Sequence, residues 1–294
     1  MKIIITGGGG FLGSFLNWRL NKEHTILTLY HKNTGNAHLF NSKQADITDT
    51  GALQETVNNF RPDVVIHSAG ISSAAAAEAF PSKYVYNVNV NATENIARLC
   101  EKYGAKLIYL STDLVYAGYR GQMLNEDAKL IPASLYAETK LMGEVKIQNT
   151  CDNYLILRCA LLYGLGTNHN NFFSQSYNKL KNNIPINVFT DQYRTPLAGF
   201  EAARIIAHLI KSGAAGIFNM GGIERLSRYE LFLKLCKAAG LDESLLIKTK
   251  MSEIKGYPAV EDVSMNTEKL QAAGVNINTV EDSIIRIINN TEYD

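Results

Sequence analysis

The sequence predicts an α/β fold, a doubly wound parallel Rossmann sheet with a smaller C-terminal lobe. Three observations predict it: short apolar runs alternate with segments of helical periodicity, the apolar runs have no polar face, and a glycine-rich turn follows the first run. Strands are expected at residues 2–6, 26–30, 64–68, 106–111, 154–158 and 217–220. Helical periodicity is expected over 11–20, 53–59, 91–103 and 136–149. A strand with no wet face must be covered on both sides, which crossover helices on a parallel sheet achieve.

After Gly164 the pattern loosens. The stretch NHNNFFSQSYNKLKNN reads as a polar loop leading into a helix. Residues 226–240 read as a helix opened by a Ser227/Glu230 capping box and closed by Gly240. The expected organisation is a Rossmann unit over 1–165 and a lobe formed mainly by 166–294, with segments near 190–220 returning to the main sheet.

The chain has 294 residues, 46% hydrophobic and 19% charged, with a formal net charge of +1. That composition is ordinary for a globular protein, and so small a charge gives no field for steering toward nucleic acid or an anionic membrane. No stretch approaches the ~18 apolar residues of a transmembrane helix, and the apolar run in MKIIITGG is too short for a signal peptide. Cys100, Cys151, Cys159 and Cys236 are scattered, with no CxxC and no His/Cys cluster. Reduced, buried thiols, no metal site and a cytoplasmic location are the expectation.

TGGGGFLG at 6–13 places Gly7, Gly10 and Gly13 between a strand and a helix. The first glycine permits the turn, the second lets backbone N–H groups approach a pyrophosphate, and the third lets the helix pack on the sheet. The helix N-terminus then turns its positive dipole end toward the anion. The motif therefore points to a dinucleotide. A carboxylate for the ribose hydroxyls is missing after the second strand, where the sequence reads Tyr30-His31-Lys32-Asn33. His31 and Lys32 suit a 2′-phosphate, which favours NADP (NADPH) over NAD; the alternative is that both are solvated loop residues. Asp46 has the chemistry to accept from the adenine amino group or, equally, to cap a turn.

Tyr136-Ala-Glu-Thr-Lys140 puts a phenol and an ammonium one turn apart on one helix face. The ammonium is expected to lower the phenol's pKa toward the working range, making Tyr136 an acid/base. Tyr/Lys pairs at this spacing are common on surfaces. This one gains meaning from Ser111-Thr112-Asp113, which ends the fourth expected strand where an open parallel sheet binds its ligand. A hydroxyl there polarises a carbonyl while Tyr136 delivers the proton.

Over essentially its whole length the chain resembles an extended short-chain dehydrogenase/reductase. The resemblance rests on TGGGGFLG, ADITD, HSAG at 67–70, NVNATEN at 89–95, STDLVYAG at 111–118, YAETK at 136–140 and RCALLYG at 158–164. STDLVYAG, FTDQYRTP at 189–196 and LSRYEL at 226–231 are most similar to the dTDP-4-dehydrorhamnose reductase family. The resemblance implies Thr112 beside the substrate carbonyl, Tyr136 as proton donor, Lys140 as its partner and holder of the nicotinamide ribose, and Asn89 supporting that lysine through a water. It implies Asp46 with Ile47 at the adenine, Phe11, Leu12, Ala69 and Gly70 along the cofactor, and Ser72 and Arg194 at the substrate, Arg194 on its diphosphate.

Departures fall at the sugar end. The family's RTSWVYG-like segment has a tryptophan where this chain has Leu161, and its TxVDxAE-like loop is replaced by Ile71-Ser72-Ser73, an alanine run and Glu78. Sugar-nucleotide 4,6-dehydratases carry threonine, aspartate and glutamate in succession; here Leu114 stands for the glutamate, which argues against that reaction. The resulting expectation is a reductase of a keto group on a nucleotide-linked sugar with an altered sugar pocket. The alternatives are a sugar-nucleotide epimerase and a non-catalytic NAD(P)-binding regulatory subunit. A homodimer through helices near 91–103 and 136–149 is the family expectation.

Overall fold

The structure is a computed structural model describing residues 1–118, 122–166, 171–254 and 260–291; the loop expected at 168–170 lies outside them. Strands β1 (Lys2–Thr6), β2 (Thr25–Tyr30), β3 (Ser42–Gln44), β4 (Val64–His67), β5 (Lys106–Thr112) and β6 (Tyr154–Cys159) join Gly216–Met220 in one seven-stranded sheet. All pairs in it are parallel, and the order is Gly216–Met220, β6, β5, β4, β1, β2, β3. The chain therefore starts in the middle and winds outward both ways, and every strand's C-terminal end opens on one edge.

Both faces are covered, as the apolar runs require. On β1, Ile3 and Ile5 pack with Leu12, Phe15 and Leu16 of α1 (Phe11–Asn21) and with the helix Gly199–Lys211. Ile4 points the other way, onto Leu53 and Val57 of α2 (Thr50–Phe60). All three isoleucines are fully buried, each worth roughly 1.5–3 kcal/mol against exposure.

After the short helices α3 (Ala74–Glu78) and α4 (Ser82–Tyr86), the chain runs without a break through a π-helical turn at Asn87–Asn91 into α5 (Ala92–Tyr103). The sequence predicted helix only from residue 91. With α6 (Leu135–Gln148), α5 closes the face over Ile4. The remaining strands pair across long separations: Leu162–Tyr163 with Leu197–Ala198, Tyr193–Arg194 with Leu226–Ser227, and Ile186–Phe189 with Leu246–Thr249. The helix Arg228–Ala239 has the expected Ser227/Glu230 capping box and ends at Gly240 with φ +63°. Among the described residues no helix is long and apolar enough to cross a membrane.

Candidate active site

A cleft of about 1220 Å³ runs along the strand ends from the glycine loop to Arg194 and Arg228. At the loop, Gly7 has φ +72°, and a Cβ there would lie 2.7 Å from the backbone nitrogen of Ala69. A Cβ on Gly13 would collide with the carbonyl oxygen of Gly7. The N-cap of α1 is Gly10, with no capping side chain and no acidic residue in the first turn. Uncapped N–H groups on a helix end facing a cleft suit a pyrophosphate, so the loop fits a dinucleotide. Gly7, Gly10, Phe11, Leu12 and Gly13 all line the cleft.

His31, Lys32, Asp46 and Ile47 line the same end. His31 Nε2 lies 3.8 Å from Asp46 Oδ2, both half-exposed. Asp46 Oδ1 accepts from the Thr48 N–H and hydroxyl, each at 2.8 Å. These bonds hold its carboxyl below the usual range, the backbone N–H contributing most. Asp46 forms a turn and also lines the cleft. Ala69, Gly70 and Ser72 line the cleft's middle.

Asn89, which the resemblance places in support of Lys140 through a water, is buried and is not among the residues lining the cleft. The π-helical turn points its amide inward, where Oδ1 accepts from Ile71 N–H at 2.9 Å and Nδ2 donates to Ile71 O at 3.2 Å and Thr139 Oγ1 at 3.1 Å. It ties the loop after β4 to α6.

Ser134 caps α6, accepting from Ala137 N–H at 3.2 Å, and so sets Tyr136 and Lys140 in the first turns facing the end of β5. Thr112 closes β5, donating to Asp113 Oδ1 at 3.1 Å while its oxygen accepts from Leu114 N–H at 3.3 Å. Tyr136 is buried, which pushes its phenol well above the ordinary value; the Thr112 hydroxyl beside it pulls the other way. Burial is the larger effect, so the phenol lies above its ordinary value rather than below it as the Tyr/Lys spacing suggested. The phenol stays protonated, the form that gives a proton away. Burial also lowers Lys140 to about 8.

A buried network fixes α6 to the sheet. Glu144, one turn beyond Lys140, accepts from Ser111 Oγ at 2.5 Å and pairs with Arg158 of β6 at 2.8 Å. Arg158 also donates to Tyr116 Oη at 2.9 Å and Glu126 O at 2.7 Å, and Tyr116 Oη donates to Asn219 Oδ1 at 2.7 Å. Ser111 precedes Thr112, so one carboxylate locks both sides of the reacting geometry.

Arg194 lines the cleft as a buried, paired cation. Its Nε lies 3.4 Å from Asp113 Oδ2 and its Nη1 donates to Tyr193 O at 2.8 Å, with the side chain 7% exposed. Burial raises the Asp113 carboxyl and Arg194 opposes that rise. Sequence reasoning passed over Arg228, the first residue of its helix, which lines the cleft, donates from Nε to Gln192 Oε1 at 3.0 Å and lies over Phe172 at 4.9 Å. The signal available was its place beside Ser227 in the capping box. Among the described residues no cluster of His, Cys, Asp and Glu forms a metal site.

A dinucleotide cradle facing a proton donor across one cleft has one economical use, hydride transfer with proton delivery. On a parallel Rossmann sheet with a Tyr/Lys helix, that defines an oxidoreductase of the extended short-chain dehydrogenase/reductase class. The chain belongs to the RmlD substrate binding domain family, whose model matches residues 1–292. It is 27% identical over 288 residues to the dTDP-4-dehydrorhamnose reductase of Escherichia coli, covering 92% of this chain and 91% of that one. The Bacillus anthracis dTDP-4-dehydrorhamnose reductase, solved in complex with NADP, superposes with a TM-score of 0.87 at 25% identity, covering 98% of this chain and 99% of that one. Methionine adenosyltransferase 2 subunit beta of Mus musculus is 25% identical over 283 residues, 93% of this chain and 83% of its own.

Proposed function

We propose that the protein is an NADPH-dependent reductase of a keto group on a nucleotide-linked sugar. The observation that carries the reading is the buried Tyr136 beside Thr112, set across one cleft from the glycine loop. When bound, the nicotinamide cofactor supplies the hydride. Thr112 orients the carbonyl oxygen by hydrogen bonding, Tyr136 gives its phenolic proton to the forming alkoxide, and Lys140 holds the ribose and stabilises the phenolate left behind. Gly7, Gly10, Phe11, Leu12, Gly13, Ala69 and Gly70 cradle the cofactor. Asp46 and Ile47 serve the adenine end, and His31 and Lys32 take the 2′-phosphate. Ser72, Arg194 and Arg228 meet the substrate. The reading includes a Rossmann unit over 1–165, a substrate lobe mainly from 166–294, and a cytoplasmic homodimer without nucleic-acid or membrane partners; the near-neutral charge and four buried thiols support it.

The test is to mix the protein with NADPH and a panel of 4-keto nucleotide sugars and follow the absorbance of the reduced nicotinamide. Turnover that falls by about 10²–10⁴-fold in Tyr136→Phe, with NADPH binding intact, is the expected result. Absence of turnover by the wild type would sink the reading. The likeness to the mouse methionine adenosyltransferase subunit favours a second reading, a non-catalytic NAD(P)-binding regulatory subunit. NADPH binding with no turnover on any keto sugar is its signature.

A further inference from the structure

Lys140 is buried, with 7% of its surface exposed, and among the described residues no carboxylate lies within 4.0 Å of its ammonium. The acid nearest along α6, Glu144, is committed to Arg158 and Ser111. A buried ammonium with no counter-charge is costly. What faces it instead is an aromatic ring: Lys140 Nζ stands 4.0 Å from the centroid of Tyr109, a fully buried residue of β5.

Several features hold that ring in place. Gly143, on α6, leaves room for the phenol; a Cβ there would collide with the Tyr109 hydroxyl. The hydroxyl reaches toward Lys140 O at 3.4 Å. The ring of His67, from β4, lies against Tyr109 with centroids 5.6 Å apart and planes tilted by 35°. Thr93 spends its proton on Asn89 O at 2.7 Å, so His67 Nε2 is the donor toward Thr93 at 3.0 Å and Nδ1 accepts from Thr6 at 2.8 Å. Burial drives His67 down to about 3, so the histidine is neutral and does not repel the ammonium.

We propose that the face of the Tyr109 ring is the counter-group of the Lys140 ammonium, which makes Tyr109 a positioning residue for the Tyr136/Lys140 pair. A cation over an aromatic face within about 6 Å is attracted by the ring quadrupole, most strongly when desolvated. Among the groups around Lys140, His67 on β4 is neutral, the Cys159 thiol on β6 is pushed up by burial, and Glu144 on α6 acts only at longer range while paired with Arg158, so the ring face is the group in direct contact with the ammonium. Burial lowers Lys140, and the Cys159 and Glu144 side chains oppose this from a distance; the ring face adds the contact that they do not make. The catalytic consequence rests on the reductase reading; the electrostatic role of the ring does not.

The test follows the titration of Lys140 in the cofactor-free protein with ¹³C-labelled lysine, its signal identified by loss in Lys140→Met. Tyr109→Phe keeps the ring face and is expected to leave the midpoint in place. A fluorinated phenylalanine at position 109 keeps the shape, weakens the ring's negative face and lowers the midpoint. Tyr109→Leu lowers it by about one pH unit. The pH at which NADPH affinity weakens, measured by fluorescence, moves with it. Equal midpoints for phenylalanine and its fluorinated analogue overturn the proposal, and that pair decides even where the leucine variant fails to fold. Because no turnover is needed, this outcome is independent of whether any keto sugar is reduced.

Discussion

Replacing Glu144 with glutamine removes a charge and almost no volume from the centre of the molecule. In the native protein the Glu144 and Arg158 side chains are 1% and 3% exposed, and the guanidinium meets the carboxylate at 2.8, 3.2 and 3.3 Å. Glutamine keeps one oxygen to accept from Arg158 and can donate its NH2 to Ser111, so the packing survives, but Arg158 keeps a full buried charge with no counter-ion. Breaking a buried pair in this way costs about 3–5 kcal/mol. Arg158 retains the Tyr116 and Glu126 acceptors, which places the expected loss near 3 kcal/mol, a large share of the roughly 5–15 kcal/mol of a whole domain. With a urea slope of about 3 kcal/mol/M, the unfolding midpoint followed by circular dichroism should drop by about 1 M. Adding Arg158→Met removes the orphaned charge and should recover about 2 kcal/mol as a coupling energy in a double-mutant cycle. A single-mutant loss below about 1 kcal/mol, or losses that simply add, would refute the account of this network.

Two further outcomes follow from the site. His67 has its folded value lowered from 6.5 to about 3, so between those values the unfolded chain binds more protons and stability falls as pH falls. His67→Asn should flatten that acid slope by about 1.4 kcal/mol per pH unit in pH-dependent denaturation, and an unchanged slope would show that the histidine is already charged. At the adenine end, the double change His31→Ala and Lys32→Ala should weaken NADPH on the order of tenfold while leaving NADH nearly unaffected, as titration of each cofactor will read. Equal losses for both would show that neither side chain meets the 2′-phosphate.

The long apolar strands were readable to within a residue or two, because burial on both sheet faces leaves a run of isoleucine, valine and leucine that no loop tolerates. β3 was not readable: Ser42–Gln44 is three polar residues on a sheet edge, where one neighbour's hydrogen bonds suffice without any apolar signal. The π-helical turn hid for a related reason, since NVNVN alternates and contains three asparagines, a pattern that speaks against helix until Asn89 is seen bonding inward. Thr112, Tyr136 and Lys140 were found because local rules, a strand end and one helical turn, bring them together. The Asp113–Arg194 pair and the Tyr109 ring under Lys140 join different elements, and no periodicity carries such contacts. Charge partners across 81 residues belong to the tertiary fold.

The glycine loop has a further consequence. Gly7 crosses the backbone of Ala69, Gly9 crosses that of Asn33, and Gly13 sits on Gly7, so each is required for one segment of main chain to pass another. A descendant that had given up every dinucleotide would still need them merely to fold. The fingerprint is therefore a fossil of architecture as much as a mark of chemistry, and it outlives the reaction it helped to build. Enzyme and retired enzyme are to be told apart at Tyr136, whose hydroxyl meets Thr112 at the strand end rather than carrying main chain past main chain.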